Sequence, residues 1–126
     1  MSSPDSGTVL VVDDDAAVRS ALKFALEVEG FNVQLYAGSE ALLADTDLPE
    51  RSCLVVDYRM PGIDGLELIE ILRARHVTVP AILISGRISK QLRSRAEPSG
   101  VVRVLEKPLS DTALIEGIRA VLGSAG

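Results

Sequence analysis

The sequence predicts an α/β domain, a doubly wound five-stranded parallel sheet with helices on both faces, and three observations lead there. Five short apolar runs alternate with five amphipathic stretches. Most of the runs are apolar nearly throughout, as strands covered on both faces are. The runs also end in residues suited to chemistry, at Asp13-Asp14-Asp15, Asp57, Ser85 and Lys107. In open α/β sheets ligands collect beyond that carboxyl edge.

The first strand is predicted over Thr8 to Val12, largely β-branched. Val18, Leu22, Ala25 and Leu26 then recur at helical spacing until Gly30 ends the helix. Phe31 to Tyr36 alternates more and reads as a strand nearer an edge. Ser39 to Ala44 is a short helix capped by Ser39, with Leu42 and Leu43 inward, and Leu48 to Ser52 is a loop. The third strand, Cys53 to Asp57, leads into Met60-Pro61-Gly62-Ile63-Asp64-Gly65, whose proline and two glycines demand a shaped loop.

A third helix is predicted from Leu66 to about Arg75, burying Leu68, Ile69, Ile71 and Leu72. Pro80 to Ile84 is the fourth strand. Ile88 to Ala96 is a weaker helix with Ile88, Leu92 and Ala96 on one side, and Glu97-Pro98-Ser99-Gly100 breaks it. The fifth strand spans Val101 to Leu105. The last helix is capped by Ser110 or Asp111 and turns Leu114, Ile118, Val121 and Leu122 inward. The domain therefore occupies residues 8–122, between a disordered leading segment at 1–7 and a flexible end or linker start at 123–126.

The 126 residues suffice for one domain with a moderate core. The net charge of -5 disfavours nucleic-acid backbone or anionic membrane as a partner, so no direct nucleic-acid contact and no membrane contact are expected. One cysteine, Cys53, excludes an intramolecular disulfide framework and fits a reducing, cytoplasmic location, its expected role being a small buried hydrophobe. The first residues lack the apolar core of a signal peptide, and no apolar run approaches membrane-spanning length.

Neighbouring parallel strands lie ~5 Å apart, so carboxylates at their ends can surround one small volume. Asp13, Asp14 and Asp57 would there favour a hard cation such as Mg²⁺, with Mn²⁺ as a substitute; one histidine and one cysteine cannot build a zinc or copper site. A single Asp at a strand end is ordinarily a solubilising turn or a helix cap. Two acidic strand ends, followed by Ser85 and by Lys107-Pro108, outweigh that reading. The first loop has neither the dinucleotide glycine pattern nor the Lys-Ser/Thr ending of a nucleotide-triphosphate loop. Ser85 lacks a nucleophile-elbow sequence, and His76 lies in a polar helix end, so nucleophilic work falls to a carboxylate. An aspartate can attack phosphorus to form an acyl phosphate, provided metal and ammonium charge offset the negative oxygens.

Four motifs carry a resemblance: Val11-Val12-Asp13-Asp14-Asp15, Asp57-Tyr58-Arg59-Met60-Pro61-Gly62-Ile63-Asp64-Gly65, Ser85-Gly86 and Glu106-Lys107-Pro108. In this order and spacing, from Thr8 to Leu122, the chain resembles the receiver domain of bacterial two-component response regulators. The resemblance implies a flavodoxin-like (βα)5 fold with strand order 2-1-3-4-5. It implies that Asp57 is phosphorylated by a histidine kinase or a phosphotransfer protein, and that Mg²⁺ is held by Asp13, Asp14, Asp57 and the backbone carbonyl of Arg59. Lys107 would neutralise a phosphoryl oxygen, and Ser85, with Gly86, would meet the phosphoryl group as the switch. A cis Lys107-Pro108 peptide is implied as well. Asp15 inherits no such role and is read as the cap of the first helix.

The resemblance further implies a switching surface over the fourth helix, fifth strand and fifth helix, where a homodimer or an output domain would bind. The chain departs from the family there. Val104 stands where a switching aromatic is common, Arg103 where the residue is often acidic, and Pro98 replaces an Ala-rich helix end, so a short or irregular fourth helix is expected. Arg59 and Arg87 flank the pocket at positions that tune acyl-phosphate lifetime in relatives. The principal reading is a signalling phosphoacceptor, not a metabolic enzyme, that catalyses its own phosphotransfer and dephosphorylation. The alternatives are a constitutive protein-binding module with a weakly coupled switch and, last, a haloacid-dehalogenase-like phosphatase, which lacks the usual Asp-x-Asp context and a cap insertion.

Overall fold

The computed structural model describes residues 7–123. Of the two end segments expected from sequence, only Gly7 and Gly123 are described; residues 1–6 and 124–126 lie outside the described residues. Gly7 is buried, and its carbonyl accepts the Asn32 N–H at 3.2 Å. Five strands, β1 (Thr8–Val12), β2 (Asn32–Tyr36), β3 (Ser52–Asp57), β4 (Ala81–Ser85) and β5 (Val101–Glu106), form one sheet. It is parallel throughout in the order β2-β1-β3-β4-β5, as expected.

Alternation along the strands splits the core in two. Val9, Val11, Cys53, Val55, Ile82 and Ile84 meet Leu22 and Leu26 of α1 (Ala16–Val28) and Leu114 and Ile118 of α5 (Asp111–Leu122). Leu10, Val12, Leu54, Val56 and Leu83 meet the other face's helices, α2 (Ser39–Ala44), α3 (Gly65–Ala74) and α4 (Lys90–Ala96), through Leu42, Leu66, Ile69 and Leu92. Each fully buried leucine contributes about 1.5–3 kcal/mol relative to exposure. This two-sided packing fixes the sheet's register, since a slip by one residue would exchange the two cores.

Helix ends follow the backbone's unpaired groups. At α1, Gly30 N–H bonds Glu27 O and Phe31 N–H bonds Leu26 O, with Gly30 at φ +94°. The same pair of bonds closes α3, from His76 to Arg73 O and from Val77 to Leu72 O, but there a histidine takes φ 64°. A side chain in that left-handed conformation costs ~1 kcal/mol, which the closing bonds offset.

Four local expectations are corrected. Ser39 does not cap α2; Gly38 holds the cap position without a side-chain bond, and the buried Ser39 hydroxyl donates to Ile63 O at 2.9 Å. Ser52, expected in a loop, belongs to β3 opposite Thr8. Ile88 lies outside α4, because Ser89 caps that helix by accepting the Leu92 N–H, and the helix gives way after seven residues to a 3-10 turn at Glu97–Ser99. This agrees with the short, irregular fourth helix expected from Pro98. Finally, β5 is not buried on both faces: it is an edge strand, and its register skips between Ala81↔Val101 and Ile82↔Arg103, leaving Val102 half exposed.

Candidate functional site

Strands β1, β3 and β4 end side by side, and their register carries Asp13, Asp57 and Ser85 to one rim. Asp57 is 7% exposed, Asp13 4% and Ser85 2%, whereas Asp14 faces solvent. Carboxylate oxygens of Asp13, Asp14 and Asp57 all lie within 4.8 Å of one another. From the end of β5, Lys107 extends its ammonium to 3.1 Å from Asp57 Oδ2. The Lys107-Pro108 peptide is cis.

The acidic loop is held by its own backbone. Asp13 N–H continues the sheet ladder by donating to Tyr36 O at 3.2 Å, while Asp13 Oδ1 accepts the Asp15 N–H at 2.9 Å. Asp15 caps α1 by accepting the Ala17 and Val18 N–H groups. Arg19, one turn into α1, donates from Nη1 to Asp13 O at 2.7 Å. Sequence reasoning missed Arg19. Its only signal was a cation among apolar helix positions just after the acidic cluster, and helical periodicity does not specify which backbone carbonyl such a side chain reaches.

Below Asp57 the chain turns through Gly62, at φ +76°, and enters α3 with an Asp64–Glu67 capping box. Gly65 opens that helix hard against the rim: a Cβ there would stand 2.4 Å from Asp57 O. Gly65 N–H donates to Tyr58 O at 2.9 Å, and Tyr58 N–H to Ile84 O at 2.7 Å. The helix start is thereby clamped to the strand end that carries Asp57.

Ser85 faces a different partner. Its hydroxyl donates to Arg87 O at 2.7 Å and accepts the Arg87 N–H at 3.2 Å, and its carbonyl accepts the Lys107 N–H. The Arg59 side chain is exposed and lines an open cleft with Tyr58, Met60 and Asp64; Gly86 and Arg87 are also exposed. Val104 is half-buried against the α2–α4 core. His76 is exposed, away from any chemistry.

Electrostatics favour a cation at the rim. Burial, above all, raises the Asp13 pKa above the usual carboxylate value, and the Asp57 and Asp14 charges add to it; the Asp15 N–H and Lys107 oppose this without cancelling it. Three gathered carboxylates, two of them buried, suit a hard divalent ion that takes oxygen ligands and keeps several waters. The donor set contains no sulfur or imidazole.

The sequence profile of the response regulator receiver domain matches residues 9–119. The transcriptional regulatory protein FixJ of Azorhizobium caulinodans is 43% identical over 121 residues, covering 95% of this chain and 57% of the relative. FixJ of Bradyrhizobium diazoefficiens is 39% identical over 113 residues, covering 87% and 55%. The chain thus spans little more than half the length of these relatives. Among solved structures, FixJ-N superposes with a TM-score of 0.84 at 36% identity, covering 92% of this chain and 93% of that one. The response regulator StyR gives 0.86 at 35% identity, covering 93% and 59%.

Proposed function

Because the chain belongs to the response regulator receiver domain family, we propose that Asp57 is its phosphoacceptor and that a histidine kinase or phosphotransfer protein supplies the phosphoryl group. The observation that carries this reading is the Asp57 carboxylate, buried at a strand end, with Lys107 Nζ at 3.1 Å and two further carboxylates gathered beside it.

An oxygen of Asp57 attacks phosphorus in line with the leaving group. Lys107 shields the negative oxygens that would otherwise repel the nucleophile, acting in a site whose carboxylates are already ordered. Asp13, Asp14, Asp57 and the Arg59 carbonyl would hold Mg²⁺ or Mn²⁺, which supplies charge neutralisation and orientation of the phosphoryl group when bound. The Asp13–Arg19 bond fixes the backbone that carries two of those ligands. Hydrolysis of the acyl phosphate by water at the same site returns the domain to its starting state, with Arg59 and Arg87 placed to influence water access.

The added phosphoryl group brings about -1.5 to -2 charges and three acceptor oxygens. In response, Ser85 exchanges the Arg87 carbonyl for a phosphoryl oxygen and pulls the β4–α4 loop with it. Val104 lies next to that loop's helix in the core and contributes a small apolar contact where relatives move an aromatic ring. The partner face is then α4, β5 and α5. Arg87, Lys90, Arg93, Arg95 and Arg103 are exposed toward α4 and β5, with Arg95 paired to Glu70 at 3.3 Å, while the acids Glu97, Glu106, Asp111 and Glu116 are exposed on or next to the same three elements. That mixture of charges supports a self-complementary partner, a second copy or an output domain. The buried Cys53, its thiol pushed up to about 12 by burial, is kept out of redox chemistry and serves as a small hydrophobe in the core.

The test is Mg²⁺-dependent labelling of wild type and Asp57→Ala by acetyl phosphate and by a phosphorylated kinase, followed by size measurement of both forms. Labelling of wild type alone is expected. A folded wild-type domain that takes no label would favour a constitutive binding module.

A further inference from the structure

Arg19 follows three consecutive aspartates by one helical turn, yet its guanidinium serves none of their carboxylates. Among the described residues ion pairs join Arg95 to Glu70, Lys107 to Asp57 and Arg119 to Glu29, and Arg19 enters none of them. Half-buried, it spends its Nη1 donor on the backbone carbonyl of Asp13 at 2.7 Å. That oxygen belongs to the peptide unit between Asp13 and Asp14, whose carboxylates lie within 4.8 Å of each other and of Asp57.

In an extended strand consecutive side chains point to opposite faces. Bringing both acids to one side of the rim therefore requires the chain to leave the strand conformation at this peptide. A peptide unit is planar and rigid, so holding its oxygen fixes ψ of Asp13 and φ of Asp14 together, and with them the angle between the two side chains. Asp13 has other restraints, its N–H on Tyr36 O and its Oδ1 on the Asp15 N–H. Asp14 faces solvent, and its place is set through its backbone.

We propose that Arg19 is a positioning residue that sets the spacing of the Asp13 and Asp14 carboxylates and thereby makes the rim select Mg²⁺ over the larger Ca²⁺. The proposal rests on the reading that these carboxylates, with Asp57, hold a divalent ion. Mg²⁺ demands near-octahedral oxygen ligands at about 2.0–2.1 Å, whereas Ca²⁺ accepts more ligands, at about 2.3–2.6 Å, in adaptable geometry. Two acids locked to one peptide unit suit the smaller ion, and two acids free to spread suit the larger. The charge of Arg19 acts in the opposite sense. A guanidinium beside the rim repels any divalent ion, so charge alone predicts that removing it tightens Mg²⁺ and Ca²⁺ alike. Position and charge thus differ in the sign of the effect.

The experiment titrates wild type, Arg19→Met and Arg19→Gln with magnesium chloride and with calcium chloride at constant ionic strength, reading Kd from backbone amide NMR shifts. Both replacements are good helix formers, and neither places a donor at Asp13 O; circular dichroism checks each fold. Mg²⁺ affinity is expected to fall roughly tenfold, as for other partners that orient metal ligands, and Ca²⁺ affinity to fall less, so the ratio of the two drops roughly threefold or more. Mg²⁺ binding that is unchanged or tighter in either folded variant, or an equal fall for both ions, would overturn the proposal. Absence of Mg²⁺ binding by the folded wild type would remove the metal-site reading itself, and this role of Arg19 with it.

Discussion

Lys107 Nζ and Asp57 Oδ2 stand 3.1 Å apart although fifty residues separate them in the chain. The lysine side chain is 43% exposed and the aspartate 9%, so solvent screens the pair and its contribution to folding is small, ~0–1 kcal/mol. Its contribution to chemistry is expected to be larger, because Lys107 offsets charge on the phosphoryl oxygens that the Asp57 nucleophile must approach. Lys107→Met is therefore expected to change the Tm little while slowing phosphorylation of Asp57 by about a hundredfold or more. Parallel thermal melts and labelling kinetics separate the two effects.

Asp13 gives the opposite trade. Its carboxylate is buried among like charges, a cost to the metal-free fold. Asp13→Asn keeps the side-chain shape and removes the charge. In the absence of divalent ions it is expected to raise stability by about 1 kcal/mol, a Tm increase of roughly 3–5 °C, and to lose most of the further increase that Mg²⁺ gives the wild type. Calorimetry with and without Mg²⁺ reads both.

Gly65 is required by space, not by backbone angle. A methyl group there meets the Asp57 carbonyl at 2.4 Å, and neither strand end nor helix start can yield easily. Gly65→Ala is expected to destabilise by about 1–3 kcal/mol and to reduce labelling by displacing Asp57. Gly38→Ala, where a Cβ would meet nothing within 4 Å, is the control for space and should cost only about 0.5–1 kcal/mol, the difference between Gly and Ala at a helix N-cap. Urea denaturation of both variants checks the difference.

One hydrogen-bonded pair of side chains makes stability depend on pH in two windows. Tyr36 donates its hydroxyl to Asp45 Oδ2 at 2.7 Å. That bond, followed by the Asp47 N–H, lowers the Asp45 pKa, so its stabilisation is present above the unfolded carboxylate value near 3.8 and is lost as pH falls through the lower folded value. Tyr36 is raised, first by burial and then by Asp45, so its share is present below the ordinary phenol value of 10.0 and is lost as pH rises past it. Tyr36→Phe is expected to flatten both flanks of a stability profile measured by chemical denaturation, and unchanged flanks would contradict the assignment.

Much of this was legible in the sequence because the decisive signals were local. Uniformly apolar runs marked the strands, and Asp13, Asp14, Asp57, Ser85 and Lys107 declared themselves by ending those runs. Asp15 was readable as a cap for the same reason, and Ser110 as one of two candidates with Asp111, which the structure places as the first residue of α5. What was not legible depends on contacts across the fold. Ser39 looked like a cap until Ile63 O was within reach of its hydroxyl. Arg19 could be assigned to Asp13 O only once the β1–α1 turn had a shape. The skipped register at Val102 arises from how an edge strand bends against β4, which its apolar run does not encode.

The central claim is that the phosphoryl group resides on Asp57. The most direct measurement is borohydride trapping after incubation with acetyl phosphate and Mg²⁺, followed by tandem mass spectrometry of the peptides. The account predicts the reduced residue at position 57 and nowhere else, with none formed when Mg²⁺ is chelated. Modification at Asp13 or Asp14, or unmodified Asp57 in a folded domain that otherwise binds Mg²⁺, would contradict it.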